Sequence, residues 1–494
     1  MLFSVEQYLI FFSVILLLAV ISSKAAAKSG IPSLILFLGI GMLVGSDGPG
    51  GIYFNNPKQT QYIGIVSLIY ILFSGGIDTN LQLIKPIIKP GVILSTLGVV
   101  LTCLFLGFFL PYVSSFTLME GLLLGAIVSS TDAAAVFMIL RAKGVHLKPN
   151  LRSLLELESG ANDPMAVFLT IAILELIMHQ NKTFFSVLMS FVQQMGIGLL
   201  FGPFLALIFY NIVNRIRLEF DGLYPVLSLA YVVFIYAIVQ YVGGSGFLAV
   251  YLAGIYLGNK KFVHKKSLIL FHDGLAWLMQ IIMFITLGLL VFPSKLVTVA
   301  SSGFLISVFL ILIARPLAVF ISLSFSKISL KEKVLISWIG LRGSVPIILA
   351  TYPYTAGYLK ADIIFNLVFF IVLTSVILQG TMIPFVAKKL KLNANPQKRI
   401  RFPIEYVPRD EIRGDLFEFE VSASSIICNK SIVNIDLPPN SLIVLIQREG
   451  RIIVPRGTTV LVNGDLLLIL SDKESVNSLF KLFDTEVDST RHAA

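Results

Sequence analysis

Apolar runs, most of them about 20 residues or longer, recur from the N-terminus to about residue 390. A helix needs about 20 residues to cross the hydrocarbon core of a bilayer. Lipid offers no water to backbone groups, so a spanning segment must satisfy its own N–H and C=O groups, as a helix does. The runs fall at 3–23, 31–46, 60–77, 90–112, 117–140, 150–178, 184–213, 222–241, 246–258, 270–292, 296–325, 332–353 and 361–388. This pattern predicts an all-α polytopic membrane protein of about thirteen transmembrane helices. Residues 8–21 read as an uncleaved first helix, because Glu6 and the lack of Lys or Arg before Lys24 do not suit a signal peptide.

Composition agrees: 56% of the 494 residues are hydrophobic and only 13% are charged. The net charge of +10 would suggest nucleic acid in a soluble chain. Here thirteen spans with the N-terminus outside put seventeen Lys and Arg in the inner loops against four in the outer ones. That asymmetry orients a membrane protein and argues against a nucleic-acid partner. The chain is expected in a bacterial cytoplasmic (inner) membrane. Cys103 lies in an apolar run and Cys428 in the polar tail, so no disulfide framework or cysteine metal site is expected. The five histidines are scattered, which gives no metal cluster and no resident cofactor. Glu6, Glu120, Glu175 and Asp273 stand near span ends and read as interfacial.

Composition changes near residue 390. Residues 1–390 form the membrane domain, 391–403 a polar linker, 404–486 a soluble α+β domain and 487–494 a disordered tail. Strands are expected at Leu416–Ala423, Leu442–Arg448, Arg451–Pro455 and Leu466–Ser471, with Glu449-Gly450 as a hairpin turn and Asn463-Gly464 as a second turn. Asp472–Phe483 reads as a closing helix. The tail begins with Lys388, Lys389 and Lys391, which puts it in the cytoplasm.

Charges inside a bilayer are costly and mark function. The sixth span carries Glu158-Ser159-Gly160-Ala161-Asn162-Asp163-Pro164. Glu158 and Asn162 are four apart, as are Ser159 and Asp163, so all four lie along one helical stripe. Pro164 removes a donor from the ladder beside the acid. Hard cations take oxygen ligands, and this stripe supplies them. The fifth span carries Ser129-Ser130-Thr131-Asp132 and the twelfth Gly340-Leu341-Arg342-Gly343-Ser344-Val345-Pro346; both read as helix interruptions. The breaks lie seven spans apart, which matches two inverted six-helix repeats joined by a linking span. For Asp132 the plainer reading is a helix cap. Arg315-Pro316 in the eleventh span reads as a basic residue reaching to the cytoplasmic surface.

Thr131-Asp132, Glu158-Ser159 with Asn162-Asp163-Pro164, and Gly340-Leu341-Arg342-Gly343 together resemble the NhaP-type monovalent cation:proton antiporters over about residues 1–390. Pro438-Pro439-Asn440-Ser441-Leu442-Ile443 and Asn463-Gly464-Asp465 resemble the C-terminal half of RCK (TrkA-C) domains. The combination is similar to the potassium/proton antiporter subgroup linked to cell volume regulation. The resemblance implies that Asp163 alternately holds a proton or a cation. It implies that Ser159, Asp132 and the Thr131 carbonyl help ligate the ion, and that Glu158 pairs with Arg342. Asn162 stands where electrogenic relatives carry a second acid, which implies electroneutral exchange. Many relatives carry an acid in the third span where this chain has Ser74, within Leu72-Phe73-Ser74-Gly75-Gly76-Ile77-Asp78; Ser74 retains a ligating oxygen without the charge. For the tail the resemblance implies a homodimer and a small regulator such as a cyclic dinucleotide; a plain dimerisation module is the alternative.

The expected function is exchange of potassium, or sodium, for protons by alternating access, serving cytoplasmic pH, cation content and cell volume. A gated monovalent cation channel is the alternative; rings of carbonyls or charges from several subunits would favour it. No Gly-rich nucleotide loop or nucleophile elbow suggests an enzyme.

Overall fold

The computed structural model describes residues 4–29, 32–179, 182–394, 415–422, 425–472, 475, 478–479 and 482–483. The chain forms two compact units that divide between Asn395 and Pro396. The first is helical: α1 (Val5–Ser29), α2 (Ser33–Val44), α3 (Pro57–Asp78), α4 (Leu81–Val113), α5 (Leu118–Ile127), α6 (Ala133–Ala142), α7 (Pro149–Met178) and α8 (Phe184–Arg215). It continues with α9 (Leu223–Tyr241), α10 (Gly246–Gly258), α11 (Lys265–Leu290), α12 (Pro293–Ser322), α13 (Leu330–Trp338), α14 (Ser344–Leu349), α15 (Thr351–Thr355) and α16 (Ala361–Lys389).

Among the described residues, nine helices are long and apolar enough to cross a membrane. The other four expected spans take different forms. The second and ninth are short helices, α2 of 12 and α10 of 13 residues. The fifth is split into α5 and α6, and the twelfth into α13, α14 and α15. The short pair is held by close backbone contact. A β-carbon on Gly41 of α2 would lie 2.9 Å from the Gly288 Cα of α11, and one on Gly76 of α3 would lie 3.1 Å from the Gly254 Cα of α10. Small residues at such crossings are how helices pack where lipid removes the hydrophobic drive.

Single π-turns interrupt three long helices, at Leu94–Gly98 in α4, Leu310–Ala314 in α12 and Val376–Gly380 in α16. Such turns tend to accompany functional sites; the last two flank the site described below. Glu120 stands at the start of α5, near a span end, and is 5% exposed. It closes a capping box with Thr117 at the start of α5 and accepts from the Tyr358 hydroxyl at 2.5 Å and Lys360 Nζ at 2.9 Å.

Residues 391–394, assigned by composition to the linker, are ordered. Asn393–Ala394 (β2) pairs antiparallel with His146–Leu147 (β1), tying the end of α16 to the α6–α7 connection. The second unit holds an antiparallel sheet of β3 (Asp415–Glu420), β4 (Leu442–Arg448), β5 (Arg451–Ile453) and β6 (Leu466–Ser471) in the order β3-β6-β4-β5. Glu449 and Gly450 join β4 to β5 with φ of 49° and 83°, the paired positive angles of a two-residue hairpin. Phe417, Phe419, Ile446, Leu467 and Ile469 form its core. Asp465, fully buried, accepts from Arg448 Nε and Nη2 at 2.8 Å each and from the Val462 N–H at 2.9 Å, which locks the Asn463-Gly464 turn against β4. Most of the expected closing helix, the C-terminal tail and residues 395–414 lie outside the described residues.

Candidate functional site

Helix α7 runs unbroken through Pro164 and carries the polar stripe. Its members face two different neighbours. Ser159, Asn162 and Asp163 turn to the gap between α5 and α6. The Ser159 hydroxyl donates to the Thr131 carbonyl at 2.8 Å and accepts from the Ala133 N–H at 3.1 Å. The Asn162 amide donates to the Thr131 hydroxyl at 2.7 Å. Asp163 Oδ1 accepts from the Ser130 hydroxyl at 2.7 Å. Asp163 and Asn162 are buried, while Ser159 and Asp132 are half-buried.

A break in a membrane helix frees backbone groups that must find partners, and several of them can be followed here. Arg342 Nη1 donates to the Ser129 and Ser130 carbonyls at 2.8 and 2.7 Å. That puts a cation on the negative, C-terminal end of α5. Asp132 caps the positive end of α6, its carboxylate accepting from the Ala135 N–H at 3.0 Å. The two interruptions meet directly where the Asp132 N–H donates to the Leu341 carbonyl at 2.8 Å. On the other side, the Arg342 N–H donates to the Ser375 hydroxyl at 3.1 Å, and Gln379 Nε2 donates to the Trp338 carbonyl at 3.0 Å. Both partners come from α16 at its π-turn.

Gly343 makes this crossing possible, since a β-carbon at 343 would collide with the Asp132 carboxyl. Overpacking of this kind costs about 1–3 kcal/mol. Gly343→Ala is therefore expected to lower the thermal stability of the purified protein by about that amount and to slow exchange. A wild-type melting curve would show that the crossing has slack.

The structure corrects the expected partner of Glu158. Its carboxylate pairs with Arg315 Nη2 at 2.5 Å, and the two side chains are 2% and 3% exposed. Arg315 does not reach to a surface; it begins the segment after the α12 π-turn and points into the bundle. Arg342 is taken by the carbonyl end of α5, although it stays within electrostatic reach of both Glu158 and Arg315. Two guanidiniums thus serve one carboxylate and one helix end.

Ser74 is buried on α3, and no hydrogen bond among the described residues joins it to the cluster. Sequence reasoning missed Ser130, Arg315, Ser375 and Gln379 as site partners. Ser375 and Gln379 did carry a signal: a polar pair four residues apart on an apolar helix, linked Oγ to Oε1 at 2.5 Å. Asn162 Oδ1 and the Tyr251 hydroxyl are buried oxygens without a hydrogen-bond partner among the described residues. Oxygens of five residues, Ser130, Thr131, Asp132, Ser159 and Asp163, converge on the break. That donor set suits a monovalent hard cation or a proton.

Residues 13–389 match the family model described as sodium/hydrogen exchanger, transmembrane, and residues 416–484 match the TrkA-C domain. The chain is 37% identical to a protein named K(+)/H(+) antiporter NhaP2 of Shewanella baltica over 97% of this chain and 83% of that one. It is 38% identical to the K(+)/H(+) antiporter NhaP of Alkalimonas amylolytica over 92% of this chain and 80% of that one. A solved structure of the sodium proton antiporter MjNhaP1 from Methanocaldococcus jannaschii superposes with a TM-score of 0.68 at 28% identity, over 77% of this chain and 97% of the other.

Proposed function

The chain belongs to the sodium/hydrogen exchanger family, and on that premise we propose that it exchanges potassium for protons, one for one, at Asp163. Cation:proton antiport follows from the family; the choice of ion, the stoichiometry and the site residues are the further reading. Buried charge balance carries it. Asp132, Glu158 and Asp163 face Arg315 and Arg342 in one connected cluster. A proton or a monovalent cation on Asp163 brings the cluster to neutrality, and bare Asp163 leaves it one charge negative. An unneutralised charge moving against 100 mV costs about 2.3 kcal/mol, so only loaded forms cross readily, and each guest excludes the other. Asn162 supplies no second titrating acid.

In this reading the entering cation takes the Ser130 and Ser159 hydroxyl oxygens, the Thr131 carbonyl, Asp132 directly or through water, and Asp163. Glu158 with Arg315, and Arg342 with the α5 carbonyls, hold the frame. Ser74 has no hydrogen bond to the cluster among the described residues, so potassium is preferred to sodium here on the names of the relatives above and not on the site. A channel built of rings from several subunits is not favoured by one asymmetric site. Two inverted repeats are supported by the glycine crossings, since segments two with ten and three with nine exchange under a six-plus-one-plus-six arrangement.

The remaining features of the proposal are a bacterial cytoplasmic membrane setting, an outside N-terminus, a homodimer and a cytoplasmic TrkA-C unit that answers to a small regulator. No resident cofactor takes part. Proteoliposomes with an internal pH dye test the exchange. Potassium added outside is expected to drive proton movement at the same rate with the potential clamped at zero or at 100 mV, the level at which a single charge costs about 2.3 kcal/mol. A rate that follows the clamp would refute one-for-one exchange.

A further inference from the structure

Glu156, Gly160 and Asp163 stand at i, i+4 and i+7 on one face of α7. Glu156 is half-buried and paired with Arg152 at 2.8 Å, and Asp78 at the end of α3 has Glu156, Asp273 on α11, Arg141 and Arg152 within electrostatic reach. Between Glu156 and Asp163 the face is covered by Tyr251 of α10. A β-carbon on residue 160 would lie 2.7 Å from the Tyr251 hydroxyl, so glycine is what admits the ring. Tyr251 is 2% exposed and its hydroxyl has no hydrogen-bond partner among the described residues. The neighbouring Thr79 hydroxyl lies within electrostatic reach of it and donates its own proton to the Gly75 carbonyl at 2.8 Å. Buried phenols normally find a partner. An unpartnered one, on the line from a half-exposed acid to the exchange carboxylate, is placed to meet something that passes.

We propose that the Tyr251 hydroxyl is a transient ligand and gate for the monovalent cation between the Asp78–Glu156–Asp273 mouth and Asp163, and so helps to set cation preference. This rests on Asp163 being the exchange site. The ring blocks the face when no ion is moving. The phenolic oxygen replaces a hydration water when one passes.

The test measures exchange in proteoliposomes against potassium and sodium concentration. Tyr251→Phe keeps the ring in the Gly160 recess and removes only the oxygen. Loss of one hydrogen-bond-strength contact to a charge is expected to raise the half-saturating potassium concentration about ten-fold, with the rate at saturation retained and the potassium-to-sodium preference altered. Unchanged half-saturation for both ions overturns the gate. So does a variant that elutes and melts as wild type yet is silent, because the oxygen would then serve turnover and not access. Should Tyr251→Phe fail to fold, Gly160→Ala with Tyr251→Leu decides. Gly160→Ala alone should be slow, and the pair should regain rate with a raised half-saturation; a regained wild-type half-saturation overturns the proposal. Asp163→Asn in the same vesicles reports on the site separately: if it is active the Asp163 reading fails, whatever Tyr251 does.

Discussion

Asp163→Asn is expected to lower cation-driven proton movement in proteoliposomes by at least about a hundred-fold, a loss on the scale of removing a positioned proton-transfer group. Asparagine has nearly the same shape, and its Oδ1 can still accept from the Ser130 hydroxyl that now bonds Asp163 at 2.7 Å. The fold should therefore survive, and a wild-type elution profile checks that. What disappears is the negative charge for which the two guests compete. The cluster becomes permanently neutral, so nothing draws the cation in and nothing takes up or releases the proton. A second readout needs no transport. A ligand that binds only the folded state stabilises it by about 2.7 kcal/mol at 100 times its Kd, so potassium should raise the wild-type melting temperature and leave that of Asp163→Asn unmoved. Ordinary exchange by this variant would sink the site.

The second large effect concerns stability. Arg315→Met leaves Glu158 charged in a position 2% exposed, and breaking one side of a buried pair costs about 3–5 kcal/mol. Arg342 cannot simply replace the lost partner, because its Nη1 is committed to the Ser129 and Ser130 carbonyls. Arg315→Met with Glu158→Gln removes both charges and restores the balance of the remaining three groups. Replacing a whole buried pair is often neutral, so the double variant should recover most of the melting temperature and part of the exchange. A double-variant cycle in detergent, read by melting, measures the coupling. Equal losses for Arg315→Met and for the double variant would mean that the arginine matters for packing and not for its charge.

The contrast between these two sites shows what could be read along the chain. The place of Asp163 on one stripe with Ser159 and Asn162 was legible, because residues three or four apart on a helix share a face. The interruptions at Ser129–Asp132 and Gly340–Gly343 were evident from hydroxyls, glycines and a proline where lipid forbids them. The partner of Glu158 was not. Arg342 looked natural because it sits in a motif, while Arg315 looked like an interfacial residue beside a proline. The choice between them turned on the carbonyls left open at the end of α5, and those exist only once the helix has broken there. The partners of Glu120 were not legible either: Tyr358 and Lys360 come from the far end of the chain.

Hydropathy, run length and helical spacing act within a segment, since each membrane helix closes its own hydrogen bonds. They were enough to establish a polytopic helical protein, its two interrupted spans and the carboxylate at its centre. Pairing among buried charges acts between segments, and Glu158 meets Arg315 across 157 residues of chain. Coulomb attraction in a medium of low dielectric changes steeply over a few ångströms. Which arginine took the acid, which took the helix end, and which tyrosine came to lie over Gly160 were therefore decided by how the helices cross, a matter on which the order of residues is silent.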